Sequence, residues 1–185
     1  MTVVISLLRG VNIGGHHKIK MDALRDLYES LGLPGAQTYL QSGNVVFRTR
    51  AGDIPKLARR IEDAIEKSFS FRPVVVPRTS SDLRDVISRN PFAKRRGIDP
   101  RKLAVIFLKE TPTPECLQIA LKFKTAPEEL WICGREAYIY FPNGMARPKM
   151  SWPAIERALK TTGTGRNWNT VTKLCELAQA LEASA

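Results

Sequence analysis

The apolar positions along this 185-residue chain switch repeatedly between strand and helix periods. Residues 2–8 carry apolar side chains at odd positions (Val3, Ile5, Leu7) and at even ones (Val4, Leu8), which predicts a strand covered on both faces and central in its sheet. A polar, glycine-rich loop follows over residues 9–20. Met21, Leu24, Leu27, Tyr28 and Leu31 then fall at helical spacing, and Gly32 with Pro34 ends that helix. Residues 37–40 and 45–48 read as short strands joined by Gln41-Ser42-Gly43-Asn44, a tight hairpin in which Gly43 can take a positive φ. Asp53 is a good N-cap for the next helix, with Pro55 in its first turn and Leu57, Ile61, Ala64, Ile65 and Phe69 on one stripe. Val74-Val75-Val76 closes the series as a strand.

That order, β-α-β-β-α-β, is the ferredoxin-like split βαβ arrangement. Ser80 or Ser81 is then expected to cap a short helix carrying Leu83, Val86 and Ile87, which Asn90-Pro91 stops. A basic loop over 94–101 leads to a second apolar strand at 103–108, and Pro114 opens a helix. Residues 130–133 and 137–141 form a hairpin across Gly134-Arg135, and another helix begins near Ser151-Trp152-Pro153. The same grammar recurring without obvious identity predicts an internal duplication. The expected fold is α+β: two pseudo-repeated ferredoxin-like βαββα(β) units packed into one compact body, with an extra C-terminal helix. Residues 1–78 would form the first unit, 79–101 a helix and basic connecting loop, and 102–185 the second unit plus the C-terminal helix. That last helix, from about Asn169, is expected to replace the eighth strand.

Composition narrows the function classes. Apolar residues at 43% and charged residues at 25% are globular values and exclude wholesale disorder. No run approaches the roughly 20 apolar residues of a membrane span, so no membrane partner is expected. The short apolar opening lacks a basic start, so no secretory signal is expected either. Cys116, Cys133 and Cys175 are odd in number and widely spaced, and read as packing residues of a reduced, cytoplasmic protein. The formal charge of +11 is spread over the chain, with its densest stretch at Arg89, Lys94, Arg95, Arg96, Arg101 and Lys102 against the single Asp99. Such a field draws polyanions, and it also serves solubility.

Three loops carry the candidate chemistry. Arg9-Gly10-Val11-Asn12-Ile13-Gly14-Gly15-His16-His17-Lys18 lies between a buried strand and a helix, where phosphate loops occur. His16-His17 stands where a Walker loop needs Lys and a hydroxyl, and G-x-G-x-x-G is absent, so neither an NTPase nor a dinucleotide fold is indicated. What remains is a loop of amides with Arg9, Asn12, Gly14, Gly15 and Lys18, suited to an anion or to the turn itself. His16 and His17 have no nearby Cys or acid to complete a ligand set, so neither a metal nor a cofactor is expected. Ser42 and Asn44 of the hairpin offer a hydroxyl and an amide, or simply a turn signal. Arg147 in the 143–149 loop, and Arg166-Asn167 before the last helix, put basic and amide groups where helices begin. Asn167 or Asn169 is also a natural N-cap, and Trp168 a natural core filler.

Leu7-Leu8-Arg9-Gly10-Val11-Asn12-Ile13-Gly14-Gly15, Lys18-Ile19-Lys20-Met21, Tyr39-Leu40-Gln41-Ser42-Gly43-Asn44-Val45, Phe141-Pro142-Asn143-Gly144-Met145 and Arg166-Asn167-Trp168-Asn169-Thr170-Val171 occur in this order. Together they resemble the bacterial family of proteins of unknown function numbered 1697 (DUF 1697). The resemblance implies an α+β fold with duplicated ferredoxin-like units and brings no activity, substrate, cofactor or catalytic residue with it. Thr164-Gly165 departs from the Thr-Thr usual in that family before Arg166.

The chain thus reads as a protein of unknown function, best described as a module binding an anion, either nucleic acid or a phosphorylated small molecule. Two alternatives stand beside it. One is an enzyme whose site is formed by the Arg9–Gly15 loop, the Ser42–Asn44 hairpin and the Arg166–Asn169 turn. The other is a protein–protein module with a basic face. No acid–base or nucleophile–base pair is visible for the first alternative, and no RNP-like aromatic pattern supports base stacking on a sheet. Arg9, Asn12, Ser42, Asn44, Arg166 and Asn167 are expected to meet in one cleft.

Overall fold

The computed structural model describes residues 1–184. Its contacts cluster into two units, one of Met1–Asp85 with Lys173–Ala185 and one of Val86–Thr172. The architecture is mixed α+β, with two four-stranded antiparallel sheets and six α-helices among the described residues.

In the first unit β1 (Thr2–Arg9) lies between β3 (Asn44–Thr49) and β4 (Val74–Thr79), and β2 (Gln37–Tyr39) pairs with β3, giving the order β2-β3-β1-β4. Helices α1 (Met21–Ser30) and α2 (Ile54–Phe69) close one core, in which Val4 and Leu8 of β1 join Leu24, Leu27, Ile61 and Ile65. Burying each such side chain contributes about 1.5–3 kcal/mol. Val3, Ile5 and Leu7 are buried as well, so both faces of β1 are covered, as its doubly apolar pattern requires. Asp53 caps α2 by accepting from Lys56 N at 2.7 Å. Glu62 of α2 accepts from Val75 N at 2.9 Å and ties that helix to the start of β4.

The cap of α3 (Ser80–Ser88) is neither Ser80 nor Ser81. Thr79 and Asp82 cap reciprocally, Thr79 N donating to Asp82 Oδ2 at 2.8 Å and Asp82 N to Thr79 Oγ1 at 3.0 Å. This is a capping box with Asp in place of the usual Glu, one residue earlier than the serines suggested.

In the second unit β5 (Leu103–Leu108) lies between β7 (Glu136–Tyr140) and β8 (Gly163–Asn167), with β6 (Glu129–Cys133) on β7, in the order β6-β7-β5-β8. Helices α4 (Pro114–Leu121) and α5 (Trp152–Leu159) cover a core of Ile106, Leu108, Ala120, Ile139, Ile155 and Leu159. The expectation that a helix replaces the eighth strand is overturned, because β8 is present and α6 (Trp168–Ala183) follows it directly. Its sequence, Gly-Thr-Gly-Arg-Asn, has little strand propensity. The glycines answer a close approach instead. A Cβ on Gly163 would meet Ile106 Cγ2 at 2.8 Å, and one on Gly165 would meet Ile106 Cδ1 at 2.9 Å.

Candidate functional site

The loop leaving β1 reverses by left-handed backbone, with positive φ at Gly10, Asn12, Gly14, Gly15 and His17. Asn12, at φ 56°, fastens it. Its Nδ2 donates to Ile19 O at 3.0 Å and to Gln41 O at 2.8 Å, and its Oδ1 accepts from Ile19 N at 2.9 Å. One amide thereby joins the loop, the approach to α1 and the turn after β2. The His17 ring stacks on Phe71 with centroids 4.4 Å apart and places Nδ1 3.1 Å from Gly10 O. Between these ties opens a cavity of about 740 Å³ bordered by Asn12, Gly15, Lys18, Ile19, Lys20, Met21, Asp22 and Gln41.

Helix α1 starts in this cavity. Its N-cap is Lys20, and no side chain caps the first turn. The first-turn N–H groups and the positive end of the helix dipole are therefore left to whatever enters. Lys18 and Lys20 are both exposed beside it. Asp22, the one acid on the wall, is paired with Arg25 at 3.0 Å.

The hairpin turn sits at the C-terminal end of β1. Leu8 N donates to Gly43 O at 2.8 Å, and Leu7 pairs with Asn44. Gly43 has φ +74°, and a Cβ there would lie 2.9 Å from Leu8 Cβ, so both backbone and packing demand glycine. Asn44 is buried, its Nδ2 donating to Tyr39 O at 2.7 Å and to Ser42 Oγ at 3.1 Å. Ser42 and Asn44 thus hold the turn. Arg9 is half-buried opposite Val74, and Gly14 is exposed; neither borders the cavity. Among the residues singled out in the sequence, Asn12, Gly15 and Lys18 do border it. Ile19, Lys20, Met21, Asp22 and Gln41 border it without having been singled out as site residues. The available signal was Lys20 itself, a helix entry where Ser, Thr, Asp or Asn would be usual.

Arg166, Asn167 and Arg147 belong to the second unit. Arg166 is buried in β8 opposite Val105, with Nη1 donating to Thr164 Oγ1 and to Gly165 O, both at 2.8 Å. Burial pushes its guanidinium down to about 10. Asn167 donates Nδ2 to Arg101 O at 2.9 Å and accepts from Asn169 N at 2.9 Å, a turn at the entry of α6. Arg147 is exposed in the loop before α5.

Three of the six basic side chains of the 89–102 stretch are paired with acids. Arg95 Nη1 donates to both carboxylate oxygens of Glu129, at 2.6 and 2.7 Å, and its guanidinium lies 5.8 Å from the Tyr140 ring centre. Arg101 pairs with Asp99 at 3.0 Å and holds that carboxyl below its ordinary range. Arg89 lies 3.8 Å from Glu136, and Lys102 Nζ donates to Pro142 O at 2.7 Å. Lys94 and Arg96 remain exposed. Among the described residues no three His, Cys, Asp or Glu side chains gather as a metal site, the three cysteines are free, and no helix is long and apolar enough to cross a membrane.

The sequence model of a family described as protein of unknown function (DUF1697) matches residues 1–138. The chain belongs to the DUF1697 family. Loop, cavity and hairpin all fall within the matched part. No curated protein matches this DUF1697 member. Among solved structures it is similar to the conserved bacterial protein SP0830 from Streptococcus pneumoniae, at 20% identity and a TM-score of 0.70, over 97% of this chain and 99% of that one. At that identity the likeness speaks to the fold alone.

Proposed function

We propose that this DUF1697 member is an anion-binding module whose ligand is a phosphorylated small molecule, held in the cavity at the start of α1. The observation that carries the reading is the uncapped first turn of α1 opening between Lys18 and Lys20 in a space of about 740 Å³. That volume lies within the roughly 300–1,000 Å³ of small-molecule sites. Helix amides and two ammonium groups complement a phosphate. A nucleic acid is the weaker partner, because three of the six basic side chains that would track its backbone are paired with Glu129, Asp99 and Glu136.

The test is calorimetric titration of the full chain with inorganic phosphate at low salt. Lys18→Gln with Lys20→Gln should weaken binding about tenfold, the worth of one to two charge-assisted hydrogen bonds. Binding that the double variant leaves unchanged overturns the reading.

The same proposal takes the two sheets as copies of one ferredoxin-like unit. Their identical strand orders support this. So do two matching ties: Glu62 accepts from Val75 N, and Glu156 accepts from Gly163 N at 2.8 Å, each carboxylate on the second helix of its unit and each amide at the start of the fourth strand. The three free thiols support a reducing, cytoplasmic setting.

A further inference from the structure

The second unit contains a small cavity, of about 180 Å³, that the phosphate reading does not use. Phe92, Ile98 and Leu103 supply apolar wall, and Asn90, Arg95 and Trp168 supply polar groups. Phe92 is buried and tilts against Tyr140 at 5.8 Å between ring centres, which fixes its ring. Trp168 is half-buried and borders the cavity as well.

The residues of this wall keep donors to spare. Asn90 uses its Oδ1 to accept from Phe92 N at 2.9 Å, and its Nδ2 meets no acceptor among the described residues. Arg95 spends Nη1 on Glu129 and keeps Nε and Nη2. Trp168 contributes an indole N–H that likewise meets no acceptor among the described residues. Because Arg95 is already neutralised by Glu129, the wall offers hydrogen-bond donors with little net charge. It therefore suits a neutral acceptor better than a carboxylate or phosphate.

Size sets the rest. An apolar cavity of about 150 Å³ accepts benzene, so about 180 Å³ has room for one six-membered ring with small substituents, and its open side leaves anything attached to that ring in solvent. Aromatic walls favour a planar partner that can stack or meet them edge-on. We infer that this cavity is a binding site for a single neutral heteroaromatic ring with carbonyl acceptors on its edge, the chemistry of a pyrimidine base, free or at the end of a nucleotide. The site is independent of the phosphate cavity, since its lining lies wholly within the second unit.

The experiment is titration of the full chain with uracil, UMP and toluene, followed by calorimetry and ligand-observed NMR. Ala93, exposed on the cavity rim, is replaced by Leu to fill the space without touching the core. Uracil is expected to saturate with a dissociation constant on the order of 1 mM, and Ala93→Leu, with unchanged melting, to weaken it about tenfold. UMP matching uracil identifies the free base as the source, and UMP binding more tightly than uracil to the Lys18→Gln, Lys20→Gln double variant, whose phosphate cavity is disabled, identifies a nucleotide; either result supports the ring site. Three results overturn it: no saturable binding of uracil or UMP, equal binding by the Ala93→Leu variant, or toluene binding as tightly as uracil.

Discussion

Arg78 and Arg166 hold the same place in their respective sheets. Each is the penultimate residue of an edge strand, each pairs with the neighbouring central strand (Arg78 with Ile5, Arg166 with Val105), and each is buried. Each also donates Nη1 to the carbonyl of the residue before it, Pro77 or Gly165, at 2.8 Å. A helix begins two residues further on in both cases. A buried guanidinium is costly unless its donors are satisfied, so the shared position marks a structural solution used in both units.

The depressed Arg166 value makes a signed prediction. With the folded group near 10 and the unfolded one at its higher ordinary value, the unfolded chain binds the extra proton between those values, so stability rises with pH across that window. Urea unfolding of the native chain and of Arg166→Met, compared from about pH 8 to pH 11, should show the difference moving in favour of the native chain as pH passes about 10. A difference independent of pH removes this account of the burial.

Gly43 and Gly10 separate strain from crowding. Both have positive φ, but a Cβ on Gly10 meets nothing within 4 Å, whereas one on Gly43 meets Leu8 Cβ at 2.9 Å. Gly10→Ala should cost about 1–2 kcal/mol, the left-handed penalty alone. Gly43→Ala should cost about 1–3 kcal/mol more through overpacking. Equal losses in denaturant melts would show that the Leu8 contact relaxes freely.

Much of this fold was legible, and the residues explain which parts. β1 and α2 follow directly from doubly apolar and amphipathic patterns, because burial dictates those periods. β8 escaped because its glycines are selected by Ile106, a residue almost 60 positions away that no local pattern reports. The loop after β1 was recognisable as a special segment from its glycines, yet the division of labour within it was not. Asn12 reads as a ligand donor in sequence, and only the partners Ile19 and Gln41 reveal how its amide is spent. Lys20 went unnoticed because an absent capping side chain leaves no motif.

Asn12 is accordingly the residue on which the cavity wall depends. Asn12→Asp keeps the shape but loses both donors and sets carboxylate oxygens against the Ile19 and Gln41 carbonyls. It should destabilise by about 2–3 kcal/mol. Faster hydrogen exchange should appear in residues 10–20, since that loop loses two of its ties. Protection unchanged from the native chain would mean the loop is held by other contacts.

The most direct test of the anion site is an amide chemical-shift map of the full chain during titration with inorganic phosphate. Saturable shifts are expected at Gly15, Lys18, Lys20, Met21 and Asp22, around the open turn of α1. Shifts gathered instead on residues 89–102, or spread evenly over the surface lysines and arginines, would contradict it.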